Sequence, residues 1–329
     1  MRTRGESFLF REYVIFGVVT AAVFILCVCT GSVTIPVKET VRAIHRAVWG
    51  IPQENKFAES VIVAVRLPRV ICVALTGAAL SLSGAAMQGL LKNPLADGST
   101  LGVSSGAALG AVLSIAFGIT FPGLPFAGTV VMAVIAAFLS LLIILGLAYK
   151  FDYSLSTQTI ILIGIIYSMF VSSVMSVIIT FASDRLKHIT FWTMGSLQGT
   201  SYENAMMLGI VLLVCGGLVV LHTRELNAFA IGEDNALHIG VNVRRIRLLI
   251  LVTVSGLIGV SVAIGGSIAF VGLVTPHIVR MIVGPNHKRL LPASLFGGSV
   301  FLMLADLTAR TLLSPLELPI GVVTSLVGA

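Results

Sequence analysis

The residues that could do chemistry or contact a partner are few, and most of them lie in one polar stretch. Residues 224–247 read RELNAFAIGEDNALHIGVNVRRIR. This stretch is too polar to cross a membrane, and its regular pattern of apolar and polar residues is not that of a flexible linker. Glycine is a weak helix former and a good helix stop. Gly232 and Gly240 therefore divide the stretch into two predicted short helices, 225–231 and 233–239.

These two predicted helices have distinct faces. Glu233 and Asp234 fall in the first turn of the second helix, where negative charge suits the helix dipole. The modest apolar face consists of Leu226, Phe229, Ala230, Ala236 and Leu237, and the polar face of Asn227, Asn235 and His238. Arg244, Arg245 and Arg247 follow at the start of the next apolar run, which indicates the cytoplasmic side. The pattern fits a rigid two-helix knob for a cleft in a partner, or an interfacial turn without a partner.

Sequence motifs for catalysis are absent elsewhere. The chain contains no G-x-x-x-x-G-K-[ST], H-E-x-x-H or G-x-S-x-G motif, so it is predicted neither to bind ATP through a P-loop nor to be an enzyme. The six histidines are scattered, and His277 is expected to support a helix start rather than to bind a metal. The four cysteines lie in apolar stretches and are expected to be buried small hydrophobic residues. We therefore predict no catalytic residue, no metal site and no cofactor.

Composition defines the class of protein. Of the 329 residues, 57% are hydrophobic and only 11% are charged, and the mean hydropathy is +1.03. Apolar runs of about 20 residues recur, and each is long enough to cross a hydrocarbon core of roughly 30 Å. A membrane β-barrel would show short segments of alternating hydrophobicity instead. We predict an all-α polytopic membrane protein with about ten transmembrane helices in a single domain, 1–329.

The apolar runs predict the topology. The first run is kept as a span because no A-x-A-type signal cleavage site follows it. Spans are predicted near 13–31, 70–91, 100–118, 127–148, 159–181, 205–222, 247–266, 268–284 and 291–305, with a tenth starting near Leu318. Most Lys and Arg residues fall on the inner side if the N-terminus is cytoplasmic, as the positive-inside rule requires. Most exceptions lie in one outer segment, 32–69.

Small residues dominate the predicted span interiors. Ionisable residues, which proton- and ion-coupled carriers place near the midplane, are almost lacking there. Gly102, Gly106 and Gly110 are four residues apart and share one helix face. Small residues allow helix backbones to approach closely, so this face is predicted to pack against another helix or, as an alternative, to line a polar-tolerant pathway. The same spacing occurs one span earlier, at Gly77, Ser81 and Ala85.

Several motifs together carry a family resemblance over most of the chain. They are RLPR at 66–69, GAALSLSGAAMQGLLKNPLADGSTLGVSSGAALGA at 77–111, WTMGSL at 192–197, RELNAFAIGEDNALHIGVNVRR at 224–245, GGSIAFVGLVTPHIVRMIVGPNHKRLLPAS at 265–294, ADLTAR at 305–310 and ELPIGVVTSLVGA at 317–329. In this order and spacing, the chain resembles the permease subunits of ABC importers for iron–siderophore, haem and cobalamin, the FecCD-type family.

The resemblance implies an assembly and a mechanism. It implies a dimer of permease subunits, identical or different, with two cytoplasmic ATP-binding subunits below and an extracytoplasmic substrate-binding protein outside. The segment 224–240 would form two coupling helices that sit in a groove of the ATPase. The implied coupling residues are Leu226, Asn227, Ala230, Gly232, Glu233, Asp234, Ala236, Leu237 and Gly240. ATP would then drive alternating access, and selectivity would reside largely in the binding protein.

The resemblance also offers a role for the outer arginines. Arg66, Arg69 and Arg310 match positions that receive carboxylates of the binding protein, and charge pairs at a rim steer docking. Without the resemblance, these side chains would be interpreted as solvated or as contacting lipid headgroups. The implied cargo is a metal chelate, with ferric siderophore first and haem or cobalamin as alternatives.

Three further expectations concern the setting and the rival functions. The chain is expected in a bacterial cytoplasmic membrane, in contact with lipid and with no nucleic acid. Only 12 residues follow from Leu318 to the last residue, about 18 Å of helix, so we expect a truncated or short last helix. The rivals are a secondary transporter not coupled to ATP, which should carry intramembrane ionisable residues or broken-helix repeats, and a membrane scaffold or receptor component.

Overall fold

Helices form nearly the whole structure. The computed structural model describes residues 8–31, 35–50, 59–98, 101–119 and 127–329. Within these ranges there are 14 helices and no strands. In chain order they are α1 (Phe10–Cys29), α2 (Val37–Trp49), α3 (Val61–Leu90), α4 (Val103–Phe117), α5 (Ala127–Phe151), α6 (Thr157–Phe181), α7 (Leu186–Thr193), α8 (Tyr202–Leu221), α9 (Thr223–Ile231), α10 (Glu233–His238), α11 (Val243–Gly265), α12 (Val271–Val283), α13 (His287–Thr311) and α14 (Ile320–Gly328).

The helix lengths confirm an all-α polytopic membrane protein but differ from the predicted spans. Among the described residues, 7 helices are long and apolar enough to cross a membrane: α1, α3, α5, α6, α8, α11 and α13. The spans predicted at 100–118 and 268–284 are helices of only 15 and 13 residues, shorter than a roughly 30 Å core at about 1.5 Å per residue. Both begin after a residue with positive φ, Gly102 (73°) and Phe270 (69°), a conformation that an α-helix cannot contain.

The second long helix begins earlier in the structure than the sequence predicts. The sequence predicts it at 70–91, after the charged residues Arg66 and Arg69, whereas α3 begins at Val61 and contains both arginines. Both side chains are buried. Arg69 pairs with two carboxylates and Arg66 donates to backbone carbonyls, so both are satisfied inside the protein and do not end the helix. The first turns, Val61–Arg66, are wound as a π-helix.

Helix α3 is the centre of one half of the bundle. It packs along α13 and also against α12 and α11. A Cβ on Gly77 would lie 2.2 Å from the carbonyl oxygen of Gly298, and one on Gly84 only 1.8 Å from that of Gly272. Because no other residue would fit at these positions, the backbones of α3, α13 and α12 approach as closely as small residues allow.

The other half of the bundle is built around α11. This helix packs against α5, α4 and α8, and α4 packs against α5 and α6. Helix α11 is mostly buried, whereas α1, α5, α6 and α8 expose most of their surface. The chain therefore combines a small-residue core with a broad apolar exterior, as a protein solvated by lipid requires.

Two ends of the bundle can be distinguished. We call the end at which α1 begins the proximal end; there Arg289 at the start of α13 forms an ion pair with Glu12. We call the opposite end distal; there Arg66 of α3 and Arg310 of α13 donate hydrogen bonds to carbonyls at the end of α1. The features that could bind partners lie at these two ends.

Candidate functional site

The polar stretch forms two short helices at the proximal end. Helices α9 and α10 flank Gly232, whose backbone angles (φ 140°, ψ 146°) interrupt the helix. A φ of this size is readily adopted only by glycine, so Gly232 fixes the corner between the two helices. Their bounds lie close to the predicted 225–231 and 233–239.

The structure divides the predicted coupling residues into buried and exposed ones. Leu226 and Ala236 are fully buried, so they hold the helices to the bundle and present no surface to a partner. Ala230, Asp234, Leu237 and Gly240 are exposed.

Two exposed apolar residues at this site were missed by the sequence analysis. Ile231 and Ile239 are 73% and 70% exposed, beside Leu237 at 56%. Each isoleucine directly precedes a glycine, Ile231 as the last residue of α9 and Ile239 as the residue after α10. That position was the available signal, because a residue at the end of a helix has few neighbours to pack against. The two short helices and their ends therefore expose three aliphatic side chains among polar residues.

Helix α9 is fastened to the start of α13 by Asn227. The Asn227 side chain donates to Oδ1 of Asn286 (2.9 Å), and its Oδ1 accepts from the backbone N–H of His287 (2.9 Å). The Nδ1 atom of His287 lies 2.8 Å from the same oxygen. Asn286 is the N-cap of α13, since its side chain also accepts from the N–H of Lys288. Asn227, on α9, is therefore part of the N-terminal cap of α13.

Helix α10 is fastened to a different part of the bundle by Glu233. Its Oε1 atom forms an ion pair with Nη2 of Arg247 at 2.5 Å, although Arg247 is only 1% exposed. Nη1 of Arg247 donates to the carbonyls of Leu155 (2.5 Å) and Ser154 (3.2 Å) in the turn between α5 and α6. The sequence analysis placed Arg247 at the membrane surface as a topology signal and missed this role.

The turn between α5 and α6 is held by Asp152. This carboxylate accepts hydrogen bonds from the hydroxyl and N–H of Ser154 and from the N–H of Ser156. The Ser154 hydroxyl, followed by the other bonds, keeps the pKa of Asp152 well below its usual range, because hydrogen bonds to the charged form favour it. Ser156 in turn caps α6, so the turn and the helix start form one unit.

A buried charge network lies at the distal end. Arg66, Arg69 and Arg310 are 5%, 6% and 4% exposed. Asp306 accepts from Nε (3.1 Å) and Nη2 (2.9 Å) of Arg69, and it pairs with Nε of Arg310 at 2.9 Å. Nη1 of Arg69 pairs with Glu317 at 2.8 Å. The sequence analysis missed both carboxylates, because Asp306 and Glu317 lie more than 200 residues from Arg69 along the chain.

The burial of the three arginines bears on their predicted docking role. Arg66 donates to the carbonyls of Val28 and Cys29 (both 3.1 Å), and Arg310 to that of Cys27 (3.1 Å). These carbonyls are at the end of α1 and have no partner within that helix. A carboxylate of a docking protein would therefore have to open or extend this network, and the docking role stays a prediction.

The three predicted packing glycines lie against other helices. A Cβ on Gly106 would lie 1.8 Å from Oγ of Ser140, and one on Gly110 would lie 2.2 Å from the carbonyl of Met132, both on α5. Gly102 faces Gly164 of α6. This geometry favours the packing interpretation over the pathway interpretation.

A different helix carries exposed hydroxyl groups. On α6, Ser172, Ser173, Ser176 and Thr180 are exposed. Their spacing of three and four residues puts them on one side of the helix. The hydroxyls of Ser173, Ser176 and Thr180 donate to carbonyls one turn earlier at 2.9–3.0 Å. Exposed apolar residues such as Met169 share this side, so the surface is uncharged and of mixed polarity. Within the described residues, His, Cys, Asp and Glu form no group that could hold a metal ion.

The fold and the two ends define a class of protein, a multi-pass helical membrane protein with two short helices fastened to one end. The model of the FecCD transport family matches residues 19–329. The chain therefore belongs to the FecCD transport family, and it is an ABC importer permease. Permease subunits of such transporters are not catalytic, and the ATPase is a separate subunit.

Relatives of known name support the same membership. The chain is 41% identical to the ABC transporter permease protein YvrB of Bacillus subtilis, over 100% of this chain and 94% of the relative. It is 37% identical to the hemin transport system permease protein HmuU of Yersinia pestis, over 80% and 79% of the two chains. The cobalamin import system permease protein BtuC of Halobacterium salinarum is 35% identical, over 85% and 73%.

A solved structure has the same fold. It is described as a metal-chelate type ABC transporter in an inward-facing conformation, and it superposes with a TM-score of 0.85 at 30% identity. The match covers 97% of this chain and 96% of the solved one.

Proposed function

We propose that this chain is the permease of a binding-protein-dependent importer for a metal chelate, with ferric siderophore, haem and cobalamin as the candidate cargoes. Two copies, or this chain and a second permease subunit, would pair in a bacterial cytoplasmic membrane. Two separate ATPase subunits would bind the proximal end, which we propose is cytoplasmic, and would drive alternating access. The names of the cobalamin and hemin relatives and the metal-chelate transporter support this class of cargo.

The α9–α10 pair is the observation that carries the proposal. It exposes Ile231, Leu237 and Ile239 among polar side chains, while Asn227 and Glu233 fasten it to the bundle. An apolar patch with a polar rim is typical of a surface that another protein covers. We propose that the ATPase covers it, because a rigidly attached knob can pass movement of a partner to the transmembrane helices.

The pathway is proposed to lie between two permease subunits. Two distal cavities of about 390 and 420 Å³ within the chain are at the small end of the range for ligand sites. A bulky chelate needs more room. The exposed hydroxyls of α6 lie among exposed apolar residues such as Met169, and an uncharged surface of this mixed kind suits passage of a large cargo without tight binding.

A binding protein is proposed to dock at the distal end, near Arg66, Arg69 and Arg310. Glu317 is the partly exposed member of this network, with 26% of its side chain accessible. A docking protein could approach Arg69 by displacing Glu317, without disturbing the deeper pair between Arg69 and Asp306.

Association with the ATPase tests the proposed function. We expect the wild-type permease to co-purify from native membranes with an ATP-hydrolysing subunit. Leu237→Glu should weaken that association at least tenfold, because it puts a charge in the centre of the apolar patch. The matched control is Leu316→Glu, the same change at a 72% exposed side chain beyond the distal end of α13, which should leave the association unchanged. A wild-type permease that binds no ATPase would contradict the proposal and favour a carrier not coupled to ATP.

A further inference from the structure

We propose that Arg247 is a positioning residue that transmits movement of α10 to the start of α6, while Asn227 transmits movement of α9 to the start of α13. The two helices would act as a lever with two arms that move two different parts of the bundle. This inference rests on the proposed function, since it requires an ATPase to move the lever.

The first arm passes through a buried charge. Removing a charge from water is costly unless partners compensate it. Arg247 is compensated by Glu233 on one side and by the carbonyls of Ser154 and Leu155 on the other. Because Nη1 is held by two carbonyls and the guanidinium is planar, Nη2 stays within ion-pair distance of Glu233 only in a narrow range of positions. A shift of α10 must therefore move the turn or break the ion pair of a buried arginine with a partly exposed carboxylate.

The turn on the other side of Arg247 is stiff enough to pass the movement on. Leu155 is buried and has a φ of 54°, a conformation that an aliphatic residue adopts only when its surroundings fix it. Asp152 closes the turn through its bonds to Ser154 and Ser156. Thr157, the first residue of α6, also reaches Oε1 of Glu233 at 3.4 Å. Helix α6 thus starts within one hydrogen bond of α10.

The second arm ends on a different group of helices. Asn227 shares the N-terminal cap of α13 through Asn286 and His287, and α13 packs along α3. The first arm instead reaches α6 and α11. Gly232 lies at the corner between α9 and α10 and has no side chain there. A movement of the pair would therefore reach α13 and α6 through separate contacts.

The rival interpretation is a static ion pair that only stabilises the fold. The two interpretations differ in what happens when the ATPase changes state. A static pair affects how much folded permease is obtained. A transmitting pair affects whether a change at α9–α10 reaches the turn before α6.

Hydrogen exchange of the assembled complex separates these interpretations without knowledge of the cargo. Permease bound to its ATPase is compared with and without ATP and vanadate. In wild type, we expect the trapped nucleotide to change amide exchange both in 225–239 and in 152–159. In Glu233→Gln, which keeps the Arg247 bonds to the carbonyls, the response of 152–159 should fall by at least half while that of 225–231 remains.

Two arginine variants complete the design. Arg247→Lys keeps the charge but cannot hold Glu233 and both carbonyls together, so it should also reduce the response of 152–159. Arg245→Met removes an exposed arginine two residues away and should respond like wild type. An unchanged response of 152–159 in Glu233→Gln and Arg247→Lys would overturn the inference, as would loss of ATPase binding in both. Failure of the wild type to bind any ATPase would instead overturn the proposed function, and the inference with it.

Discussion

Arginine side chains join the helices at both ends of this bundle by the same chemistry. Arg247 at the proximal end and Arg310 at the distal end each combine a carboxylate with backbone carbonyls that no helix satisfies. Arginine suits this task because it stays charged and directs several donors at fixed angles. The two ends differ in their carboxylates. Asp306 is buried, with 1% of its side chain accessible, whereas Glu233 is 34% accessible and lies on the helix proposed to move.

The distal network predicts a large effect of a single change on stability. In Arg69→Met, Asp306 keeps only Arg310, and Glu317 loses its partner. Removing one partner of a buried pair costs about 3–5 kcal/mol, so the thermal unfolding midpoint of the purified protein should fall by several degrees. Arg185→Met, at an exposed distal arginine, is the control. Equal midpoints for the two variants would show that the network contributes little.

These residue roles could be predicted only in part from the sequence. The glycine-divided pair of helices followed from local pattern, because capping and helix breaking depend on neighbouring residues. The partners of Arg69 and Arg247 did not, since Asp306 and Leu155 are distant in sequence. Charge at a predicted membrane boundary indicates which side a segment lies on, but it does not say whether the side chain is solvated or buried.

At the scale of elements, close helix contacts decide the architecture. Of the ten predicted spans, seven are helices long enough to cross a membrane, because each of these apolar runs is helical throughout. The lengths of α4 and α12 were wrong because positive-φ residues interrupt apolar sequence without changing its hydropathy. Helix α12 begins beside Gly84 of α3, in the interior of the bundle, where non-helical backbone is tolerated only if protein surrounds it.

This contact predicts the effect of adding one methyl group. In Gly84→Ala, the new Cβ would meet the carbonyl oxygen of Gly272 at 1.8 Å, so α3 and α12 must separate. Overpacking of this kind costs about 1–3 kcal/mol, and the thermal midpoint should fall accordingly. Gly146→Ala on α5 is the matched control, because nothing lies within 4 Å of its added Cβ. A fall in both variants alike would mean that helix contact is not the cause.

At the scale of the whole molecule, the unequal exposure of the peripheral helices predicts which surface meets water. Helix α8 exposes large apolar residues such as Met206, Ile210 and Leu213, as a lipid-facing helix should. Helix α6 exposes hydroxyls as well, so we propose that it faces a water-filled pathway between two permease subunits.

In a background with Cys29 and Cys215 changed to Ala, Ser176→Cys should react with a membrane-impermeant thiosulfonate reagent in vesicles. Leu213→Cys should not react, because a thiol in lipid is neither hydrated nor ionised. Equal reaction of the two, or none at Ser176→Cys, would place the pathway on another surface. Because the reaction is followed with and without ATP and vanadate, it also measures whether that surface changes its access to water as the ATPase changes state.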